Sequence, residues 1–157
     1  MKLFSRKILE NNFHEHMFIT YDKDRYVYHI TSMSCVKKIE EEGFKTGEQL
    51  KVCEERKAIF FADKDVNYGI YARNKEGETY EGEEIGEVRI NIKGLKLLNL
   101  SYKKNDEWIN HVKYATDVTK GDLNKIPLEI DGTISYLEDG RIYEVCISKE
   151  ISNKIIE

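Results

Sequence analysis

The run Tyr26-Val27-Tyr28-His29-Ile30-Thr31-Ser32 leaves this chain little freedom in what it can fold into. Aromatic and β-branched residues at period two predict a strand, with Tyr26, Tyr28 and Ile30 on one face and Val27, His29 and Thr31 on the other. Directly after it the period changes. Ser32 or Ser34 can cap a helix, and Val36 and Ile39 then stand three apart on its core face. Lys37, Lys38, Glu40 and Glu41 are solvated, and Gly43 is placed to end the helix.

The rest of the chain extends that pattern. Residues 45–57 are charged and irregular and read as a loop. Ala58 to Ala62 is a short apolar run, a buried strand, after which Asp63 or Asp65 caps a helix through about Arg73. Residues 75–84, rich in Gly and Glu, form a loop. Ile85 to Ile92 alternates as a strand, and Leu95 to Leu100 is a second apolar one. Asn105 to Thr119 is expected to be a helix carrying Ile109, Val112 and Trp108, the last as its core anchor. Asp131–Leu137 and Arg141–Ser148 read as strands joined by the hairpin-type turn Glu138-Asp139-Gly140. The order implies an α+β fold with antiparallel pairing late in the chain, and 157 residues fit a single domain, 1–157.

Charge narrows the partners. Twenty-five basic and 29 acidic residues give a formal charge of −4. That argues against a general electrostatic grip on nucleic acid and leans towards protein, although a local basic patch stays open. Cys35, Cys53 and Cys146 are far apart and odd in number, which reads as reduced thiols in a cytoplasm. The start, Met1-Lys2-Leu3-Phe4-Ser5-Arg6-Lys7, lacks a following apolar run, so no secretory signal and no membrane partner are expected. His14 and His16 form a His-x-His pair, with His111 elsewhere. Two surface histidines fall short of the three or four ligands that a metal needs, so no metal site is expected.

Three segments together resemble the ADP-ribosyltransferase superfamily, in the branch of the poly(ADP-ribose) polymerases and the DarT-type bacterial toxins. The first is Tyr28-His29-Ile30-Thr31-Ser32, with its helix ending Ile39-Glu40-Glu41-Glu42-Gly43-Phe44. The second is Phe60-Phe61-Ala62-Asp63 with Tyr71 downstream. The third is Tyr143-Glu144-Val145-Cys146-Ile147. The resemblance runs from about Tyr26 to Ile156, and order and spacing make the set more specific than any one motif. It implies two small, mainly antiparallel sheets around an NAD cleft with flanking helices.

It also implies roles. NAD would be the substrate, held by His29, Ile30, Thr31, Ser32, Phe60, Phe61 and Tyr71. His29 would bond a ribose hydroxyl, the Ile30 backbone would hold the nicotinamide amide, and Tyr71 would stack on its ring. Glu144 would be the catalytic residue. Breaking the nicotinamide–ribose bond passes through an oxocarbenium-like state that a fixed carboxylate stabilises. Phe60 stands where poly(ADP-ribose) polymerases carry a tyrosine, so stacking survives and a hydroxyl is lost. Ile142 stands where some branches carry Glu or Gln, which speaks against arginine-directed transfer of that type. The last hairpin is similar to that of a small phage-encoded ADP-ribosyltransferase, which implies a role in phage–host conflict or as a toxin, with Asp139 orienting substrate.

Plainer readings stand beside these. A strand histidine is commonly half-buried packing, and Tyr71 can belong to the helix stripe of Val66 and Ile70. A strand glutamate usually faces solvent, but alternation groups Glu144 with Ile142 and Cys146, opposite Tyr143, Val145 and Ile147. Arg25, Arg56 and Arg73 fit either the NAD pyrophosphate or a plain surface. Transfer of ADP-ribose to a macromolecule, protein ahead of nucleic acid, competes with NAD glycohydrolysis. A catalytically inactive nucleotide- or protein-binding module is the third reading.

Overall fold

The computed structural model describes residues 18–46, 58–66, 84–110 and 130–157. They form β1 (Phe18–Ile19), β2 (Tyr26–Ser32), α1 (Met33–Glu42), β3 (Ile59–Phe61), β4 (Ile85–Asn91), β5 (Leu97–Lys104), β6 (Glu107–Asn110), β7 (Gly132–Tyr136), β8 (Ile142–Ile147) and α2 (Lys149–Lys154). This is an α+β fold. One sheet runs β1-β5-β7-β8-β3 with β6 also on β5, and β2 pairs with β4 in a second. The first sheet is larger than the sequence suggests, and β5 and β7 within it are parallel. A parallel pair needs a crossover, and the long segment between β5 and β7 supplies the length for one.

Apolar residues from both sheets meet in one core. Val27, Ile90 and Ile92 come from β2 and the β4 region, and Phe61, Leu97, Ile134, Ile142, Val145 and Ile147 from the large sheet. The core closes over α1, which contributes Val36. Ser32 caps that helix, its Oγ accepting from the Cys35 amide, and the Gly43 amide donates to the Ile39 carbonyl. Gly43 has φ 82°, a conformation that favours glycine. Gly86 on β4 lets α1 approach closely. A Cβ there would stand 2.7 Å from Val36 Cγ2 and would also strike Met33 Sδ.

Two elements differ from expectation. The helix expected over Asn105–Thr119 is replaced, as far as Asn110, by β6, hairpinned onto β5 with Lys104 opposite Glu107. Residues 111–119 lie outside the described residues. Asn105 and Asp106 form the turn with φ of 52° and 64°, the left-handed pair that a two-residue hairpin loop requires. Trp108 is therefore no core anchor: it is 40% exposed. The second difference is α2, which follows β8 without a sequence expectation. Ser148 caps it, and Asn153 Oδ1 accepts from the Phe44 amide at 2.6 Å. Ile156 then bridges Ile90, so the last residues lie along β4. Among the described residues, no helix is long and apolar enough to cross a membrane.

Candidate functional site

The two sheets meet at one bridge. Tyr28 and Ala62 exchange both backbone bonds, Tyr28 N to Ala62 O at 2.8 Å and Ala62 N to Tyr28 O at 3.0 Å. Had β2 and β3 continued as an antiparallel ladder, the Ile30 amide would meet the Phe60 carbonyl two residues on. Instead His29 Nδ1 donates to that carbonyl at 2.9 Å. The strands part here, and the imidazole takes the backbone's place at the split. With the proton on Nδ1, Nε2 is the acceptor nitrogen. The ring packs edge-on against Phe44 and Phe61, at centroid distances of 5.5 and 6.0 Å. That burial pulls the histidine pKa below its ordinary value, opposed in part by the Phe60 bond.

Strand alternation fixes what faces the split. Tyr28 turns its amide and carbonyl towards β3, so Ile30, two residues later, turns its own to the same side. Its side chain is buried at 2% exposure. Thr31, half-buried, lies opposite Gly86 on β4. Ser32 is the α1 cap. Of the expected NAD-binding residues, Tyr71 lies outside the described residues, as do Arg56, Arg73, His14, His16, His111 and Cys53.

On the large sheet β3 lies beside β8, with Phe60 opposite Cys146 and Phe61 opposite Val145. Phe61 and Val145 belong to the core, so Phe60 and Cys146 point to the other face. Glu144 pairs with Ser135, and the next pair along is Tyr136 with Ile142, which leaves Tyr143 as the extra residue of a β-bulge. The bulge changes the expected faces. Ile142 joins Val145 and Ile147 in the core. Tyr143 packs against the exposed Trp108, the ring centroids 4.8 Å apart and the planes tilted by 56°, and so shares the outer face with Glu144 and Cys146. Strict alternation, which grouped Ile142 with Glu144, fails because one residue has been inserted.

The structure thus brings the His29 ring onto the Phe60 backbone and sets the strand of Glu144 alongside. His29 leans to the core side, whereas Phe60 and Glu144 share the outer face. Two serines line up beside that glutamate: Ser101, Ser135 and Glu144 occupy one register row across β5, β7 and β8. Ser101 Oγ and Ser135 Oγ are 3.0 Å apart and buried.

Arg25 is engaged in structure. Nη1 and Nη2 hold the Asp63 carboxylate at 2.6 and 2.9 Å, and Nη1 also donates to Tyr26 O. Asp63 Oδ2 accepts from the Ile142 amide at 2.7 Å, and the Asp63 amide donates to Ile142 O. This clamp joins the start of β2, the end of β3 and the start of β8, immediately beside the split. The sequence offers Asp63 as a helix cap and as the end of the Phe60-Phe61-Ala62-Asp63 motif, without a partner; its position two residues after the aromatic strand is the available signal. Nearby, the Tyr21 and Tyr136 hydroxyls are 2.7 Å apart, and burial pushes the Tyr136 phenol upward. Asp139, expected to orient substrate, accepts from the backbone and Nε of Arg141, which holds its carboxyl below the usual range. Among the described residues, no three His, Cys, Asp or Glu side chains converge as a metal site.

The chain matches no family model, no curated protein and no solved structure.

Proposed function

We propose that the protein is an NAD-dependent ADP-ribosyltransferase that cleaves the nicotinamide–ribose bond and transfers ADP-ribose to a macromolecule, with protein ahead of nucleic acid. One observation carries this reading. The strands bearing His29, Phe60 and Glu144, drawn from opposite ends of the sequence, are consecutive neighbours β2, β3 and β8. They meet where β2 and β3 part. On this reading a dinucleotide enters at the split, with the Ile30 backbone on one side and the strands of Phe60 and Glu144 on the other.

The chemistry asks little of the protein. The ribose C1′–nitrogen bond breaks and its electron pair goes to the nicotinamide ring, cancelling the ring's positive charge. The sugar carries the cationic character, which the Glu144 carboxylate stabilises. A lone pair of the acceptor then bonds to C1′, and the acceptor's proton leaves to solvent. Ile30's amide and carbonyl suit the nicotinamide carboxamide, and His29, bound to the Phe60 carbonyl, holds the strand split in which they lie. Water as acceptor makes the same site a glycohydrolase.

The test is nicotinamide release from NAD with and without cell lysate. Lysate-dependent release with labelled protein supports the transferase. Release without any labelled macromolecule supports the glycohydrolase. A binding module is the second reading, favoured by Phe60, whose ring supplies no hydroxyl and is only 7% exposed. NAD binding without turnover selects it.

A further inference from the structure

Among the described residues, β4 has a full strand on one side only. It pairs with β2, and two bonds at the ends of that ladder fix which backbone groups turn which way. The Met33 amide donates to the Glu84 carbonyl, and the Ile92 amide to the Arg25 carbonyl. By alternation Gly86, Val88 and Ile90 turn their backbone groups to β2, while Ile85, Glu87, Arg89 and Asn91 turn theirs outward. On that outer side the chain's own segment Ile155–Glu157 arrives. Ile156 stands opposite Ile90 in an antiparallel bridge, and the Glu157 amide donates to the Arg89 carbonyl at 3.1 Å. Towards Ile85 no further described backbone follows. An unpaired row of amides and carbonyls is a template for another strand.

The edge is complementary to itself. Two copies of β4 laid antiparallel about Val88 place Glu87 of each opposite Arg89 of the other, twice, by the two-fold symmetry. Both are outward-turned positions, so each Glu87–Arg89 couple exchanges two backbone bonds and sets opposite charges side by side on one face. Val88 meets Val88 on the other face. Moving the centre by one residue, to Glu87 or to Arg89, sets like charges opposite each other, so charge selects one register. Each charge already has neighbours. Glu87 lies 3.0 Å from Lys64 Nζ, and its carboxylate has lone pairs for a second donor. Arg89 lies over the Tyr26 ring with Nε 3.9 Å from Glu157 Oε2, a contact that leaves with the Ile155–Glu157 segment.

The same atoms decide when this pairing can form. Each couple needs the Arg89 carbonyl that Glu157 holds and the space beside Ile90 that Ile156 fills. We propose that β4 is a homodimerisation edge and that Ile155–Glu157 is the strap that closes it, so that a second copy of this chain pairs about Val88 once the strap is displaced. Two copies then share one four-stranded sheet in which the two β4 strands are central and the two β2 strands flank them. The strand splits beside Tyr28 lie on its far edges, away from the joint, so the device stands apart from the function proposed above.

Sedimentation velocity over a concentration series tests it on three proteins: the wild type, the chain ending at Ile155, and Glu157→Pro, which removes the one amide donated to Arg89 and keeps Ile156. The expected result is a monomeric wild type, a concentration-dependent dimer of the shortened chain, and a weaker dimer of Glu157→Pro. In the shortened chain Arg89→Glu sets carboxylates opposite each other and weakens the dimer about tenfold. Adding Glu87→Arg to that variant restores opposite charges, and with them the dimer. A folded shortened chain that stays monomeric overturns the proposal. So does a dimer equally strong in the wild type, or one indifferent to Arg89→Glu. If circular dichroism shows the shortened chain unfolded, Glu157→Pro decides in its place: a dimer absent from the wild type supports the strap, and a monomer overturns it.

Discussion

The imidazole of His29 donates through Nδ1 to the carbonyl of Phe60 at 2.9 Å, at the point where β2 leaves β3. A side chain here performs a task that backbone performs in an ordinary ladder. The bond fixes the tautomer, fills the space between the parting strands and keeps the Ile30 backbone turned into the split.

This arrangement makes stability depend on pH. Burial lowers the His29 pKa from its ordinary 6.5. As pH falls below that value the unfolded chain takes up a proton that the folded chain resists, so folding stability declines until the folded pKa is passed. Urea midpoints measured across that range should fall in the wild type and fall less in His29→Gln, which keeps a donor for Phe60 and does not titrate. Equal slopes in the two proteins contradict the account.

The Arg25–Asp63 clamp should matter more than an ordinary ion pair. The Asp63 side chain is 15% exposed and serves Arg25 and the Ile142 amide together. Asp63→Ala leaves the Ile142 amide without its acceptor and Arg25 with only the Tyr26 carbonyl, and is expected to cost about 2–3 kcal/mol in chemical denaturation. Arg25→Ala, which leaves Asp63 its bond to Ile142, should cost less. A reversed order would mean that the ion pair, and not the backbone bond, dominates.

Gly132 and Gly86 make a graded pair. A Cβ at Gly132 runs into the Cys146 carbonyl, rigid backbone in the middle of the sheet. At Gly86 it meets Met33 and Val36, side chains that can adjust. Gly132→Ala should destabilise by about 3 kcal/mol and Gly86→Ala by about 1–2 kcal/mol, the usual range for overpacking. Thermal unfolding of the two variants reads the difference, and equal costs would mean the sheet yields as easily as the helix.

Asn153 ties α2 to the end of α1 by accepting from the Phe44 amide. Asn153→Ala is expected to cost about 1–2 kcal/mol, because the Phe44 amide loses its acceptor. Hydrogen exchange should show the Phe44 amide opening first in that variant. Unchanged protection at Phe44 would count against the tie.

Much of this was legible where local and tertiary preferences agree. Tyr26–Ser32 alternates in sequence because it does so in space, and Ser32 and Gly43 bound α1 by their own chemistry. The strands of Ile85–Ile92, Asp131–Leu137 and Arg141–Ser148 were legible for the same reason. Residues 105–110 misled because Trp108 and Ile109 continue to Val112 at helical spacing. The opposing signal was Asn105-Asp106, two residues that tolerate positive φ between strand-like flanks. The bulge at Tyr143 left no mark in composition, yet it decides which residues share a face with Glu144. The His29–Phe60 bond and the Arg25–Asp63 clamp join residues distant in sequence, and only the sheet order brings them together.

The most direct measurement of the central claim is nicotinamide release from NAD by the wild type and by Glu144→Gln, both confirmed folded. Release by the wild type should fall about a hundredfold or more in the variant, the loss expected when a transition-state charge partner is removed. Full release by Glu144→Gln, or none by a folded wild type in buffer and in lysate, would contradict it.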